Sequence, residues 1–270
     1  MTTEVSSSAA KDQKPTSPGI RDTARLIGGL RDSLSYHEQV ENRVLPPLLA
    51  YLGTWQSVRL SRTHADFLKN PETSKACRFF LSDVYAPLDF AQRDYDGQRI
   101  FDFMNRFLPE ATLVPLALAL EVNALSQQLD QELAEALTTH LGVTDHFETW
   151  QYEEAYRLCN NYDDRVRQID LVTEVGKHLD RVGRLPLVGS TLRVAKGPAQ
   201  RLGWIEMQNF LERGLDAWKS LRQPDEFLDT IEQRERAILN RIYGLPGGAP
   251  PDNPYLVTDG GPPEIEIPTA

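Results

Sequence analysis

Apolar residues recur every three or four positions along most of this 270-residue chain. The clearest run is Leu125, Leu129, Leu133 and Leu137. Side chains three and four apart lie on one face of an α-helix, so this spacing predicts amphipathic helices that each bury one stripe. Alternation of apolar and polar residues never extends beyond a few positions. The sequence therefore predicts an all-α fold, a single multi-helix bundle of about 8–10 helices.

Proline, glycine and asparagine mark the predicted helix boundaries, because proline lacks a backbone donor and glycine readily takes the left-handed conformation that ends a helix. One helix is expected from about Ile20 until Pro46–Pro47 interrupts or kinks it. A second is expected through Leu48 and Phe67 to about Lys69, and a third from about Glu72 to Tyr85. Thr144 or Asp145 is expected to cap a helix that reaches about Cys159. A short helix between two loops is expected within 184–199, and a longer helix from about Pro198 to Leu221. The further predicted boundaries are Pro109–Glu110, Pro115, Gly142, Asn160–Asn161, Gly183, Pro224 and Gly244.

Two tails of different composition flank the expected helical domain, which spans residues 19–244. Residues 1–18 are rich in Ser, Thr, Lys and Pro and offer almost nothing to bury. Residues 245–270 are rich in Pro and Gly and carry acidic but no basic residues. Both compositions are typical of disorder, since neither tail can bury enough apolar surface to offset the entropy of ordering.

Composition and charge exclude several classes of protein. The net charge of −10 and the pI near 5.1 argue against general nucleic-acid binding, which needs a basic footprint. The most apolar run, Leu113 to Leu120, is too short to cross a membrane and contains Pro115. Cys77 and Cys159 lack CxxC spacing, which favours free thiols in a reducing compartment. With no apolar segment near the N-terminus, a cytoplasmic protein is expected.

The stretch Ala76–Asp96 interleaves apolar residues with charges around a hinge at Ala86–Pro87. Phe79, Phe80, Val84 and Phe90 predict a packing junction, with Asp83 as a hydrogen-bond partner in the interior. The stretch FFLSDVYAPLDFAQRDYD, together with WQSVRLSRTHADFL, RVRQIDLV, VGKHLDR and QNFLERGLDAW, resembles the bacterial "FFLEE motif" proteins. This chain has Ser82 at the first of the two acidic positions and Asp83 at the second. The resemblance implies a helical, cytoplasmic bacterial protein and supplies no catalytic residue or cofactor.

Several predicted helices place one or two polar residues within their apolar stripe. Buried charges must pair, so Glu41 or Asp83 is expected to pair with Arg59. These residues form the candidate pocket: His37, Glu41, Arg59, Asp83, Tyr156 and Glu212. One interpretation is a polar network that only fixes helix register. The other is a pocket for a small molecule, or the site of an enzyme around His37, Glu41, Arg59 and Asp83, with a metal in the manner of di-iron bundles.

Other candidate sites are weak in this sequence. Asp170, Glu174 and His178 recur every four residues, but they share a helix face with basic residues and are expected to face solvent. His64, His140 and His146 are expected at the surface or at caps. Cys77 is expected to be a buried thiol. No motif of a serine hydrolase, P-loop, dinucleotide-binding protein or HExxH zinc protease is present.

A basic segment at 177–201 contrasts with the acidic chain. Its only acidic residue is Asp180. Its basic residues are Lys177, Arg181, Arg184, Arg193, Lys196 and Arg201. Such a segment suits an anionic ligand, an acidic protein partner or peripheral contact with a membrane surface, or it is neutralised within the chain by helix faces or the acidic C-terminal tail. The sequence thus favours a binding protein that acts through this segment or an interior pocket, with a bundle enzyme as the alternative.

Overall fold

The computed structural model describes residues 47–84, 112–186, 188–203 and 205–248, except for the side chains of Leu202, Glu206 and Met207. These residues are predominantly helical and contain no strand, as the periodicity predicts. Their nine α-helices are α1 (Pro47–Thr63), α2 (Ala65–Lys69), α3 (Ser74–Phe79), α4 (Leu113–Leu141), α5 (Thr149–Cys159), α6 (Tyr162–Gly183), α7 (Val188–Leu202), α8 (Ile205–Lys219) and α9 (Pro224–Tyr243). A π-helical turn, Phe80–Val84, continues α3. The two predicted tails lie almost entirely outside this description, as does the predicted helix before Pro47.

Helix α6 lies at the centre of the bundle and packs against α4, α8 and α9. Gly176 makes this packing close, because a Cβ there would lie 2.8 Å from Cζ2 of Trp218 and would also clash with Leu228. Trp218 belongs to α8 and Leu228 to α9, so one residue without a side chain lets both neighbours approach α6. The three helices therefore pack more tightly than a larger residue at this position would permit.

Two hydrophobic cores lie along the length of α4, α6 and α9. The first core gathers α3, the π-helical turn, α7, α8 and one half of each long helix around Phe79, Phe80 and Trp218. The ring centroids of Phe80 and Trp218 lie 5.2 Å apart. The second core gathers α1, α5 and the other halves around Trp55 and Tyr152. Phe79 and Phe80 therefore form the packing junction that their spacing predicts, whereas Tyr85–Asp96 lies outside the described residues.

Several helix boundaries fall where sequence signals place them. Helix α1 begins at Pro47, α2 ends at Lys69, and α9 runs from Pro224 to Tyr243. Gly142 and Gly244 follow α4 and α9 with φ angles of 66° and 67°. Both residues thus take the left-handed conformation that glycine adopts without steric cost.

Several boundaries differ from prediction, and the helix expected from about Pro198 begins only at Ile205. The helix expected from Pro47 to Lys69 is divided at His64, and the one expected after Pro71 gives way to the π-helical turn at Phe80. Helix α5 is preceded by Glu148, whose backbone N–H donates to Gln151 Oε1 at 2.9 Å, and not by Thr144 or Asp145. Helix α7 continues through Pro198 and ends before Gly203, which has a φ of 82°.

The prediction of a break at Gly197–Pro198 was wrong because tertiary packing outweighs one proline. Leu192, Ala195 and Ala199 are each at most 2% exposed, and they lie on the side of α7 that the first core covers. A proline inside a helix costs about 3 kcal/mol or more, whereas burial of one large apolar side chain recovers about 1.5–3 kcal/mol. The buried stripe as a whole therefore keeps the helix intact.

Candidate functional site

The structure separates the predicted pocket residues into different places. Arg59 and Tyr156 lie in the same part of the second core, close enough for the Tyr156 phenol to contribute to the raised pKa of the Arg59 guanidinium. Asp83 lies in the π-helical turn beside the first core, and Glu212 lies on α8. His37 and Glu41 lie outside the described residues. Among the described members, only Arg59 and Tyr156 are thus brought together.

Arg59 forms a buried ion pair with Glu235 of α9. Its Nη1 lies 2.6 Å from Glu235 Oε2, and the two side chains are 11% and 7% exposed. Nε2 of His64 lies 3.2 Å from the other carboxylate oxygen. His64 is 3% exposed, so the expectation of a surface histidine was wrong. The division between α1 and α2 at His64 explains the error, because the stripe of one continuous helix does not extend past that residue.

The ion pair changes the acidity of both partners. Burial alone would raise the pKa of Glu235, but Arg59 and His64 outweigh it and lower that pKa to about 2. Burial alone would lower the pKa of Arg59, but the nearby Glu235 carboxylate raises it above its ordinary value. Glu235 is therefore a stable carboxylate counterion at neutral pH and a poor proton acceptor.

The residue before Glu235 strengthens the same contact between helices. Arg234 donates from Nη1 and Nη2 to the two carboxylate oxygens of Asp66, both at 2.7 Å. It also donates to the backbone carbonyl of Thr63 at 3.0 Å. Arg234 and Glu235 together hold the middle of α9 against the junction of α1 and α2, which sets the register of the last helix.

A second buried arginine lies near this pair. Arg165 of α6 is 3% exposed, and its guanidinium carbon lies 4.3 Å from the ring centroid of Tyr156. Its Nη2 donates to the carbonyl of Leu129 at 3.0 Å, while its Nε has no hydrogen-bond partner within the part of the chain that the structure describes. The hydroxyls of Tyr152 and Tyr156 hydrogen-bond at 2.8 Å. Burial, followed by the neighbouring phenol, raises the pKa of Tyr152 well above its ordinary value.

Asp130 of α4 completes the network. Gln56 Nε2 donates to its Oδ1 at 3.0 Å. Burial raises the pKa of Asp130, although Arg165 and Gln56 act in the opposite direction. The network thus connects α1, α4, α5, α6 and α9 through residues of both charge signs. It contains Gln56, Arg59, His64, Asp130, Tyr152, Tyr156, Arg165 and Glu235.

Asp83 pairs with a residue other than the one predicted. Its carboxylate accepts from Nε of Arg213 at 2.8 Å and from Nη2 of the same side chain at 2.5 Å. Asp83 is 5% exposed, in keeping with the interior position expected for it. Arg213 is 47% exposed. This pair ties the π-helical turn to α8, and Arg59 takes no part in it.

The third candidate region is the outer surface of α7. Its basic residues are exposed, as are Lys177, Arg181 and Arg184 of the same basic segment. Arg184 pairs with Asp180 at 2.8 Å and Lys196 pairs with Glu212 at 3.2 Å. Arg193 donates to the carbonyl of Gly189, one turn earlier, at 3.1 Å. Neither Arg193 nor Arg201 forms an ion pair within the described ranges.

Apolar side chains accompany these cations. Val194 is 78% exposed and Leu185 is 46% exposed. Val194 lies three residues before Gly197 and seven before Arg201, so it shares the solvent side of α7 with Arg201. We call the solvent side of α7, which carries Arg193, Val194, Lys196 and Arg201, the α7 outer face. It combines unpaired positive charge with one large exposed apolar side chain.

Metal binding finds no support in the described part of the chain. No group of three or more His, Cys, Asp or Glu residues there could hold a metal ion. Asp170 instead pairs with Arg236 of α9. Both cysteines are free; Cys77 is buried as predicted, and Cys159 is partly buried. No helix of the described residues is long and apolar enough to cross a membrane.

Sequence reasoning missed Glu235 and Arg165, although a signal for each was present. Glu235 lies four residues after Ile231 and three before Ile238, within the apolar stripe of α9. Arg165 lies four residues before Ile169 on α6. A charge within an apolar stripe is expected to be buried and paired, which marks both residues. Finding the partners required the tertiary structure.

These features define an all-α protein whose charged network joins five helices and whose cationic face belongs to a surface helix. Comparison with family models matches residues 35–246 to a family described as "Domain of unknown function (DUF8198)". The chain belongs to this uncharacterised domain family. No curated protein and no solved structure matches the chain. The "FFLEE motif" name and a bacterial origin remain predictions from the resemblance.

Proposed function

We propose that this protein binds an acidic segment of a protein partner through the α7 outer face. The observation that carries the proposal is the pair of exposed arginines, Arg193 and Arg201, which form no ion pair with any described residue. Helix α7 contains no acidic residue, although the chain has a net charge of −10. A local positive face on an acidic protein steers an acidic partner to one place and repels it elsewhere.

The exposed apolar side chain favours a protein segment over a membrane surface. Leu192, Ala195 and Ala199 of α7 face the first core, so among the large apolar side chains described in this region only Val194 and Leu185 are exposed enough to enter a membrane. Membrane-bound amphipathic helices need a continuous apolar face, which the described side chains on this surface do not offer. An acidic peptide with occasional apolar residues matches both the arginines and Val194.

The interior network is better explained as structural. Arg59 is neutralised by Glu235, and Tyr152 and Tyr156 bond to one another. Charges paired in this way fix which helix faces meet, because every other register would leave a charge buried alone. The enzyme predicted around His37 and Glu41 stays a prediction, as neither residue is described.

Fluorescence anisotropy with labelled decaglutamate tests the proposal. We expect salt-sensitive binding to the full chain and about tenfold weaker binding after Arg193→Glu with Arg201→Glu. Each exposed charge pair contributes about 0.2–1 kcal/mol, and reversal adds repulsion of similar size, so two reversals total about 0.8–4 kcal/mol, a range that includes the 1.4 kcal/mol of a tenfold change. These arginines give a cleaner test than Arg184 or Lys196, whose reversal also disrupts intramolecular pairs.

The matched control reverses two exposed lysines elsewhere, Lys69→Glu with Lys75→Glu, which changes the net charge equally. We expect its affinity for decaglutamate to stay within about twofold of wild type. Equal weakening by both double variants would show an effect of net charge and refute the α7 outer face as the site. Preferential sedimentation with phosphatidylserine vesicles would instead assign the face to a membrane and overturn the choice of partner.

A further inference from the structure

One acidic segment that suits the α7 outer face belongs to the chain itself. Residues 249–270 contain Asp252, Asp259, Glu264 and Glu266 and no lysine or arginine. Residues 264–267 alternate acidic and apolar side chains in the order Glu-Ile-Glu-Ile. This segment therefore offers carboxylates to the unpaired arginines and an apolar side chain to Val194.

We propose that residues 259–267 bind the α7 outer face of the same molecule and compete there with an external acidic partner. The proposal rests on the proposed function and adds its regulation. Because the carboxylates and the arginines belong to one chain, the surface is covered until a partner with more charge or more apolar contact displaces the segment. The protein would thus select strong partners over weak ones without any change in its fold.

The geometry of the bundle allows this contact for some of the acidic residues. The C-terminal end of α9 lies beside the start of α6, where the rings of Tyr243 and Tyr162 are 5.3 Å apart. Helix α7 follows the opposite end of α6, which is 22 residues or about 33 Å long at 1.5 Å per residue. A segment that leaves α9 must therefore cross about 30 Å to reach the start of α7.

The length of chain after Gly248 decides which acidic residues can extend as far as α7. An extended chain spans at most about 3.3–3.6 Å per residue. Measured from Gly248, Asp252 reaches about 14 Å, Asp259 about 38 Å and Glu264 more than 50 Å. Asp252 therefore falls short of the start of α7, whereas Asp259, Glu264 and Glu266 can extend as far as α7. Asp252 is a built-in control of equal charge.

The contact needs little intrinsic affinity. A covalent connection of this length gives the segment an effective concentration on the order of 1 mM. If the isolated contact has a dissociation constant of about 0.1 mM, the face is covered in roughly nine molecules of ten. Neutralising the segment should then increase the apparent affinity for an external acidic peptide about tenfold.

Carbodiimide cross-linking of the full chain, read by peptide mass spectrometry, tests the contact directly. This reagent joins a carboxylate to an amine in contact with it, and Lys196 is the amine on the α7 outer face. We expect cross-links from Lys196 to Glu264 or Glu266 that persist on dilution and disappear near 1 M salt, where the Debye length is about 3 Å. The Lys196–Glu212 cross-link, across 3.2 Å, is the internal standard for reagent activity. If the Lys196–Glu212 cross-link forms but no cross-link from Lys196 to Glu264 or Glu266 is found, the proposal is overturned. If the cross-links to Glu264 or Glu266 disappear on dilution, the contact forms between two copies of the chain.

Binding of labelled decaglutamate separates this proposal from the proposed function. We expect Glu264→Gln with Glu266→Gln to bind about tenfold more tightly than wild type, and Asp252→Asn to bind as wild type does. If the tail variants match wild type while Arg193→Glu with Arg201→Glu weakens binding, the competing segment is refuted and the binding face stands. If no variant binds, the proposed function is refuted, and the Lys196 cross-links alone decide whether the segment occupies the face.

Discussion

The substitution Glu235→Gln tests whether the buried ion pair holds the bundle together. Glutamine keeps the volume and one of the two acceptor oxygens, but it leaves the guanidinium, only 11% exposed, without its counterion. Removal of one partner from a buried pair costs about 3–5 kcal/mol. The acidity of Glu235 supports the same scale, since its pKa falls from an ordinary 4.5 to about 2. That difference corresponds to roughly 3 kcal/mol of stabilisation.

The effect of pH follows from the lowered pKa of Glu235. Because the folded pKa of about 2 lies below the unfolded 4.5, the stabilisation is complete above pH 4.5. It is lost as the pH falls from 4.5 towards 2, where the folded carboxyl is also protonated. The variant lacks this titration, so its free energy of unfolding should fall less steeply over that interval than that of the wild type.

Urea unfolding followed by circular dichroism, at neutral pH and through this acidic interval, measures both effects. Two controls define the mechanism. Asp180→Asn breaks the pair with Arg184, which is 68% exposed, and should change the free energy of unfolding little because solvent screens the pair. The double variant Arg59→Met with Glu235→Leu should regain much of the loss, because it leaves no charge buried alone. A loss below about 1 kcal/mol for Glu235→Gln, with an unchanged pH profile, would refute the reasoning.

Two further predictions concern packing and thiol reactivity. Gly176→Ala places a methyl group against Leu228 and should lower the free energy of unfolding, measured with urea, by about 1–3 kcal/mol. The control Gly53→Ala has nothing within 4 Å of the new methyl group and should stabilise α1 by about 0.5–1 kcal/mol. Equal effects of the two substitutions would contradict the close approach of α6 and α9. Burial raises the pKa of Cys77 to about 12, so in a time course with a thiol reagent at neutral pH this cysteine should react only when the chain unfolds. Cys159, which is only partly buried, should react first. Faster reaction of Cys77 would show that α3 opens in the native state.

The helical class could be predicted from sequence because it depends on local spacing. Leu129, Leu133 and Leu137 follow one stripe of α4, and the structure buries all three completely. Gly142 and Gly244 end their helices because left-handed conformation is a property of the residue itself. Such signals act within one or two turns, so they remain visible without the rest of the fold.

The candidate site could be predicted only in part because pairing is a long-range property. Arg59 was identified from its place among apolar neighbours, but its partner is separated from it by 176 residues. His64 was assigned to the surface because the stripe of one helix was extended across a break that the sequence does not mark. Wherever the assignment required two helices to meet, local spacing carried no information about which pair would form.

The sequence alone therefore determined the all-α class, most helix ends and the excess of cations at 177–201. The tertiary structure decided that Glu235, and not Asp83, neutralises Arg59, and that α7 continues through Pro198. The physical reason is the range of the forces involved. Periodicity and capping act between neighbours in the chain, whereas the burial of a charge or a proline is decided by the surfaces that distant helices bring to it.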